Sequence, residues 1–320
     1  MDFAIGIDWG GTNVKIGLVG TDGKVYERET LKTEELIEYD SFFLKVSGSI
    51  KKIISEDKNV LGVGVGAPGI IDSERGFIYD LPNISGWKNI DFSERLQQEV
   101  NYPVFIDNDV NVMALAEHIY GAGKGKDNVI CITLGTGVGG GLILDGKLYR
   151  GTSGNAGEIG HYTIDEKGPL CGCGNKGCVE TYVGNRRISE KAKALLKERP
   201  DSQILNLVSG DEDKITPKVI SQAANQGDAL AKEIWNEVGD FLGIVLANAV
   251  NLLNPDLIVI GGGVAKAGKI LFDSIDASIK KRALKLPYEK VKIVSAALGD
   301  EAGIIGGATV VFNNMNKERK

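Results

Sequence analysis

Three cysteines and one histidine stand close together in this chain of 320 residues. Cys171, Cys173 and Cys178 are two and five residues apart, and His161 precedes Cys171 by ten. Three thiolates and an imidazole form a common tetrahedral zinc set. Gly172, Gly174 and Gly177 let the backbone turn tightly around a small ion. A disulfide is the weaker reading, because two cysteines separated by one residue rarely reach bridge geometry. Four protein ligands would close the site, so the role expected of Zn²⁺ here is structural. The fourth cysteine, Cys131, lies in an apolar run and reads as a buried small hydrophobe.

The second chemistry-bearing pattern is glycine. The chain has 43 glycines, clustered after short β-branched runs as strand-then-turn signals are. Gly135-Thr-Gly137-Val-Gly-Gly140 and Gly64-Val-Gly66-Ala-Pro-Gly69 both fit G-x-G-x-x-G, but the dinucleotide fingerprint needs a helix next. The first runs on into the strand-like GLILDGKLY and the second through Pro68 into IIDSERGF, so a Rossmann reading is rejected. Gly263 to Ile270 misses a P-loop at its last residue, since Ile cannot place a hydroxyl on Mg²⁺. A different phosphate device remains, in which a hairpin of small residues brings backbone N–H groups close to a polyphosphate. Asp8-Trp9-Gly10-Gly11-Thr12-Asn13 adds a carboxylate at a strand end, suited to Mg²⁺ or its water shell. Gly135-Thr136-Gly137 would face it from a second domain. Tight hairpins without a ligand are the alternative for each loop taken alone. Their matched positions in an internal repeat argue against it.

The third pattern is carboxylate. In Val104-Phe-Ile-Asp107-Asn108-Asp109-Val-Asn111 a strand ends and an amphipathic helix begins, with Val112, Ala116, Ile119 and Tyr120 on one face. A phosphoryl-transfer enzyme needs a base beside the accepting hydroxyl, and a helix N-terminus favours an ionised carboxylate. Asp and Asn are also good N-caps, so the residues alone leave both roles open.

The elements that must position these groups are legible as alternating strands and helices, the mark of an α/β protein. Amphipathic stretches cover Ser41–Ile54, Asn108–Tyr120 and Asp228–Leu253. The last stops before Pro255, which biases its predecessor away from the helix. IGIDWGGTNVKIGLVGTDGKVY can be laid over ICITLGTGVGGGLILDGKLY, each reading strand, Gly-Thr turn, strand, Asp-Gly hairpin, strand. The fold is therefore expected to contain one β-meander twice. The length suggests about two domains. The net charge of −6 argues against a nucleic-acid-coating surface, and no apolar run approaches a membrane span. The N-terminus lacks the basic region and cleavage site of a signal peptide, so the expected compartment is the cytoplasm.

The two hairpin loops resemble the phosphate 1 and phosphate 2 motifs of the superfamily that joins sugar kinases, actin and heat-shock chaperone ATPases. LIVIGGGVAKAG, with Gly261, Gly262 and Gly263, resembles its adenosine-contacting strand and turn. Glu158-Ile-Gly-His161 followed by Cys-Gly-Cys-Gly-Asn-Lys-Gly-Cys-Val-Glu180 resembles the signature of the ROK family (repressors, open reading frames, kinases), over nearly the whole chain. The resemblance implies a two-domain actin-like ATPase fold closing on a central cleft. The smaller domain would be residues 1–118 plus about 298–320, and the larger 119–297. It implies a sugar pocket lined by Glu158, His161 and Glu180, with His161 also binding zinc, and an Asn108–Asp109 pair in which Asn108 binds sugar and Asp109 is the base. Gly66, Gly69 and Asn83 are further sugar contacts it suggests.

The activity implied is ATP- and Mg²⁺-dependent phosphorylation of a hexose at its 6-hydroxyl, with glucose as the expected substrate. An N-acetylhexosamine kinase of the same family is the nearest alternative. A homo-oligomer is expected, with no nucleic-acid or membrane partner. Sugar-sensing repressors of the family carry a helix-turn-helix before the Asp-x-Gly-Gly-Thr loop, and here that loop begins at Asp8. Trp9 departs from the smaller aliphatic residue expected between Asp8 and Gly10.

Overall fold

The computed structural model describes every residue except Ser55, Glu56, Asn83, Ser85, Arg319 and Lys320. Its first sheet holds β1 (Asp2–Trp9), β2 (Asn13–Gly20), β3 (Val25–Lys32), β4 (Asn59–Ala67) and, after the small antiparallel sheet β5 (Ile70–Asp72), β6 (Phe77–Asp80) and β7 (Lys88–Ile90), also β8 (Val104–Asn108). The second holds β9 (Val129–Leu134), β10 (Val138–Leu144), β11 (Lys147–Tyr149), β12 (Leu257–Gly261) and β13 (Lys292–Ser295). The strand orders are β3-β2-β1-β4-β8 and β11-β10-β9-β12-β13. In both, a three-strand meander is followed by two parallel strands, which is the duplication expected from the sequence. The Asp145-Gly146 hairpin has both residues at positive φ, 50° and 72°, as a two-residue I′ turn requires.

Helices α1 (Tyr39–Ile53), α2 (Phe92–Val100), α3 (Asp109–Ile119) and α4 (Glu180–Val183) are followed by α5 (Asn185–Leu196), α6 (Gln203–Leu207) and α7 (Pro217–Asn225). After them come α8 (Ala229–Leu253), α9 (Lys269–Arg282), α10 (Lys285–Lys290) and α11 (Ala302–Glu318). Asp228 caps α8 by accepting from the Ala231 N–H, and Asn254 ends it in the left-handed region just before Pro255.

The chain divides into two compact units. Unit 1 comprises Met1–Asp127, Gly141–Gly157 and Ala297–Lys320; unit 2 comprises Asn128–Gly140 and Glu158–Ala296. Within unit 1, strand alternation sorts residues by size. Phe3, Ile5, Ile7 and Trp9 of β1 and Val63, Val65 and Ala67 of β4 join one apolar core with α1 and α2. Gly6 and Gly64 face the other way, where a Cβ would collide with the backbone carbonyls of Ile304 and Gly307. Glycine there lets α11 lie against the strand backbones. Glu117 of α3, fully buried, accepts from the N–H groups of Ala122, Ala297 and Leu298 and so fixes the turn that enters α11.

Candidate active site

In unit 1 the register lines up the C-terminal ends of β1, β4 and β8. Asp8 lies opposite Gly66, and Gly66 opposite Asp107. Carboxyl ends of parallel strands are where open α/β sheets place their ligand sites. Asp8 pairs across the antiparallel β1–β2 ladder with Lys15, whose Nζ lies 3.1 Å from Asp8 Oδ2 and also donates to the Asp300 carbonyl at 3.3 Å. Lys15 was not singled out in the sequence; the signal that finds it is the two-strand register around the Gly-Thr turn.

The turn itself is closed by the Gly10 N–H donating to the Asn13 carbonyl at 2.9 Å. Gly11 and Thr12 are exposed, and Asn13 opens β2. A Cβ on Gly11 would meet no atom within 4 Å, so the fold gives no packing reason for glycine there. Trp9 is fully buried and stacks on Phe42 at 4.1 Å and edge-on to Trp87 at 4.6 Å. Its large ring belongs to the core beneath the turn.

At the end of β8 three consecutive polar residues take three different jobs. Asp107, 2% exposed, accepts from Arg150 Nε at 2.8 Å and Asn111 Nδ2 at 2.9 Å. Asn108, rather than Asp109, is the N-cap of α3: its Oδ1 accepts from the N–H groups of Val110 and Asn111. Its Nδ2 points at the Gly69 carbonyl, 3.4 Å away. Asp109 is the first helical residue, half-buried, with Oδ1 accepting from the Val110 N–H at 2.9 Å. Gly66 is accounted for by packing, since a Cβ there would strike Val112 of α3. Asn83 lies outside the described residues.

In unit 2 the loops after β9 and β12 are neighbours, because these strands pair in parallel with Gly261 opposite Thr133. Gly135 and Gly263 have open space where a Cβ would go, and Thr136 is exposed. Gly262, at φ 88°, sits against the backbone of Leu134. Gly137 is accounted for by Glu180, whose carboxylate occupies the Cβ position and whose Oε2 accepts from the Val138 N–H at 2.9 Å. After Gly135 the chain runs into β10, not a helix, as expected when the dinucleotide motif was rejected.

Glu180 opens α4, and its Oε1 lies 3.8 Å from Cys171 Sγ. Cys171 Sγ is 3.6 Å from His161 Nδ1, and His161 Nε2 is 3.9 Å from Glu158 Oε2. Glu158, His161, Cys171 and Glu180 thus form a continuous row. The ligand atoms of His161, Cys171, Cys173 and Cys178 all lie within 4.8 Å of one another, and Cys173 and Cys178 are 3.7 Å apart. Tetrahedral zinc with bonds of about 2.3 Å to sulfur and about 2.0–2.1 Å to nitrogen gives edges of about 3.8 Å and about 3.6 Å, which the Cys173–Cys178 and Cys171–His161 separations match, so the donor set suits that ion. Burial pushes the Cys178 thiol up to about 12 and raises that of Cys171, whereas the Asn175 N–H lowers that of Cys173. A divalent cation would offset the cost of burying the thiolates.

Unit 1 thus carries a glycine turn and a carboxylate on a helix N-terminus, and unit 2 carries glycine turns at strand ends and a Cys₃His cluster beside two glutamates. The sequence pattern of the ROK family matches residues 4–314, and the chain belongs to that family. It is 37% identical to a glucokinase of Halalkalibacterium halodurans, over 99% of this chain and 97% of that one. The crystal structure of a ROK family glucokinase from Streptomyces griseus in complex with glucose and AMPPNP superposes with a TM-score of 0.84 at 35% identity, covering 97% of this chain and 99% of that chain. A xylose repressor of Caldicellulosiruptor bescii is 34% identical over 97% of this chain and 78% of its own length. The actin-like ATPase fold expected from the sequence is the fold of these neighbours. Among the described residues no helix is long and apolar enough to cross a membrane.

Proposed function

We propose that this chain is an ATP-dependent glucokinase that transfers the γ-phosphoryl group of ATP to the 6-hydroxyl of glucose. The observation that carries the reading is similarity along nearly the full length, both to the Halalkalibacterium glucokinase and to the Streptomyces griseus structure bound to glucose and AMPPNP. The reading gives the candidate residues the following roles. Asp109 accepts the proton of the attacking hydroxyl as the new P–O bond forms, while backbone N–H groups of the glycine loops hold the phosphates. Asp8 suits the water shell of Mg²⁺, which neutralises charge developing on the phosphates when bound. Glu158, His161 and Glu180 accept and donate hydrogen bonds to sugar hydroxyls. Asn108 caps through Oδ1 and gives one Nδ2 hydrogen to the Gly69 carbonyl, which leaves the other for sugar. His161, Cys171, Cys173 and Cys178 would hold a structural Zn²⁺. Bound there, it would tie the segment carrying Glu158 and His161 to the one carrying Glu180.

The test is coupled ADP release across glucose, N-acetylglucosamine, N-acetylmannosamine, mannose, fructose and allose. The reading expects the highest kcat/KM with glucose. A preference for either N-acetylhexosamine would move the assignment within the family. Tight glucose binding without turnover on any sugar would instead favour a sensor role like that of the related repressors.

A further inference from the structure

Thr33 is one residue past the end of β3, 5% exposed, and opens a short 3₁₀ turn, Thr33–Leu36. Its hydroxyl donates to the Gly10 carbonyl at 2.7 Å, and its backbone N–H donates to the Thr12 carbonyl at 3.0 Å. A single residue therefore holds both ends of the Gly10-Gly11-Thr12 turn. A trans peptide is planar, with its C=O and N–H pointing in opposite directions, and no described peptide bond is cis. Fixing the Gly10 carbonyl on buried Thr33 therefore aims the Gly11 N–H the opposite way, on a residue that is itself exposed.

We infer that Thr33 is a positioning residue for the nucleotide: its hydroxyl presets the Gly10–Gly11 peptide so that the Gly11 N–H is already directed at phosphate before ATP arrives. The inference rests on the reading of this turn as a phosphate loop. The hydroxyl acts through the Gly10 carbonyl, because Thr33 itself is buried beneath the turn. Preorganised N–H donors act on charge without reorganisation during the reaction. Releasing the carbonyl lets the peptide rotate, so ATP must order it again.

The experiment compares Thr33→Val, Thr33→Ser, Leu36→Ala and Gly11→Val, each assayed for the KM of ATP, the KM of glucose and melting temperature. Valine keeps the shape of threonine and removes the hydroxyl. Thr33→Val is expected to raise the KM of ATP about three- to tenfold, the worth of one neutral hydrogen bond, with the KM of glucose within about twofold of wild type. Thr33→Ser should restore the KM of ATP. Leu36, 1% exposed in the same turn, supplies a variant that loosens the turn without touching Gly10. A matching rise of the ATP KM in Leu36→Ala would overturn the inference, as general loosening would then suffice. Gly11→Val separates the two levels. If it raises the KM of ATP while Thr33→Val does not, Thr33 has no positioning role and the phosphate reading stands. If Gly11→Val also leaves the KM of ATP unchanged, the phosphate reading falls and the inference with it.

Discussion

The candidate site residues of unit 1 and those of unit 2 are held by different physics. In unit 1, Asp8, Gly66 and Asp107 lie near the ends of three strands whose inward-facing residues are packed in a continuous core. Asp109 starts a helix whose cap is a neighbouring side chain. Regular hydrogen bonding and buried apolar area set these positions. In unit 2, the segment 158–179 has little regular structure, only the turn Ile159–His161 and two isolated bridges, Thr163 with Cys178 and Leu170 with Lys176. Leu170 is 65% exposed. What converges there is a set of sulfur and nitrogen donors. Chemistry and stability are separable in the first region and coupled in the second.

Metal removal should expose that contrast most strongly. Chelation at neutral pH, or Cys178→Ser, is expected to remove about one zinc per chain. It should abolish glucose phosphorylation and lower the melting temperature by more than 10 °C, given apparent binding energies on the order of 10 kcal/mol in small zinc modules. Elemental analysis and calorimetry check it. A folded, active, metal-free protein would show that side-chain packing alone holds the Glu158–Glu180 row.

Asp109→Asn is the counterpart in unit 1. Turnover is expected to fall about 10²–10⁴-fold, the usual worth of a general base, with the melting temperature within about 2 °C of wild type. Asn108 carries the cap, so the helix loses nothing essential at Asp109. The KM of glucose should stay near its wild-type value, the pattern of an interaction realised in the transition state. Retention of more than about a tenth of kcat would move the base elsewhere.

What the sequence made legible was local or periodic: the repeated meander, the long helix closed before Pro255, the cysteine spacing and the strand–helix corner at Asp107–Asp109. What it hid was pairing at a distance. Lys15 meets Asp8 only through strand register, and Thr33 reaches Gly10 only after β3 folds back. Gly66 and Gly137 look like ligand glycines in the sequence. The space beside each is taken by Val112 and Glu180, residues far away along the chain. Of the two candidate caps at the corner, Asn108 takes the role because its side chain reaches the Val110 and Asn111 N–H groups, a geometry that spacing alone does not reveal.

The pairing of Asp107 with Arg150 tests how far the sheet alone holds the unit 1 corner. Arg150→Met should leave a carboxylate buried without its cation, costing about 3–5 kcal/mol and roughly 6–15 °C in melting temperature. Arg150→Lys should recover part of the loss, since lysine restores the charge but not the planar guanidinium. A change of under 2 °C in Arg150→Met would mean that Asn111 and the Asn108 N–H satisfy Asp107 unaided.

The smallest expected effect is at Trp9, where two terms of similar size oppose each other. The indole is fully buried against Phe42 and Trp87, and its Nε1–H has no acceptor among the described residues. Trp9→Phe removes that unsatisfied donor, worth about 1–3 kcal/mol. It also leaves a small cavity and sacrifices stacking, a loss of comparable magnitude. The net change should be within about 1 kcal/mol, or roughly 3 °C in melting temperature. The KM of ATP should stay within about twofold of wild type, because the ring faces the core and the turn at Gly10–Thr12 is held by Thr33 and Asn13. Trp9→Ala, with no ring to refill the space, should instead cost about 3–5 kcal/mol. If Trp9→Phe were as damaging as Trp9→Ala in thermal unfolding, the full indole volume would be essential to the core beneath the turn. A raised KM for ATP in the phenylalanine variant at unchanged stability would make the ring part of the turn's geometry, and core packing and phosphate binding in unit 1 would then not be separable.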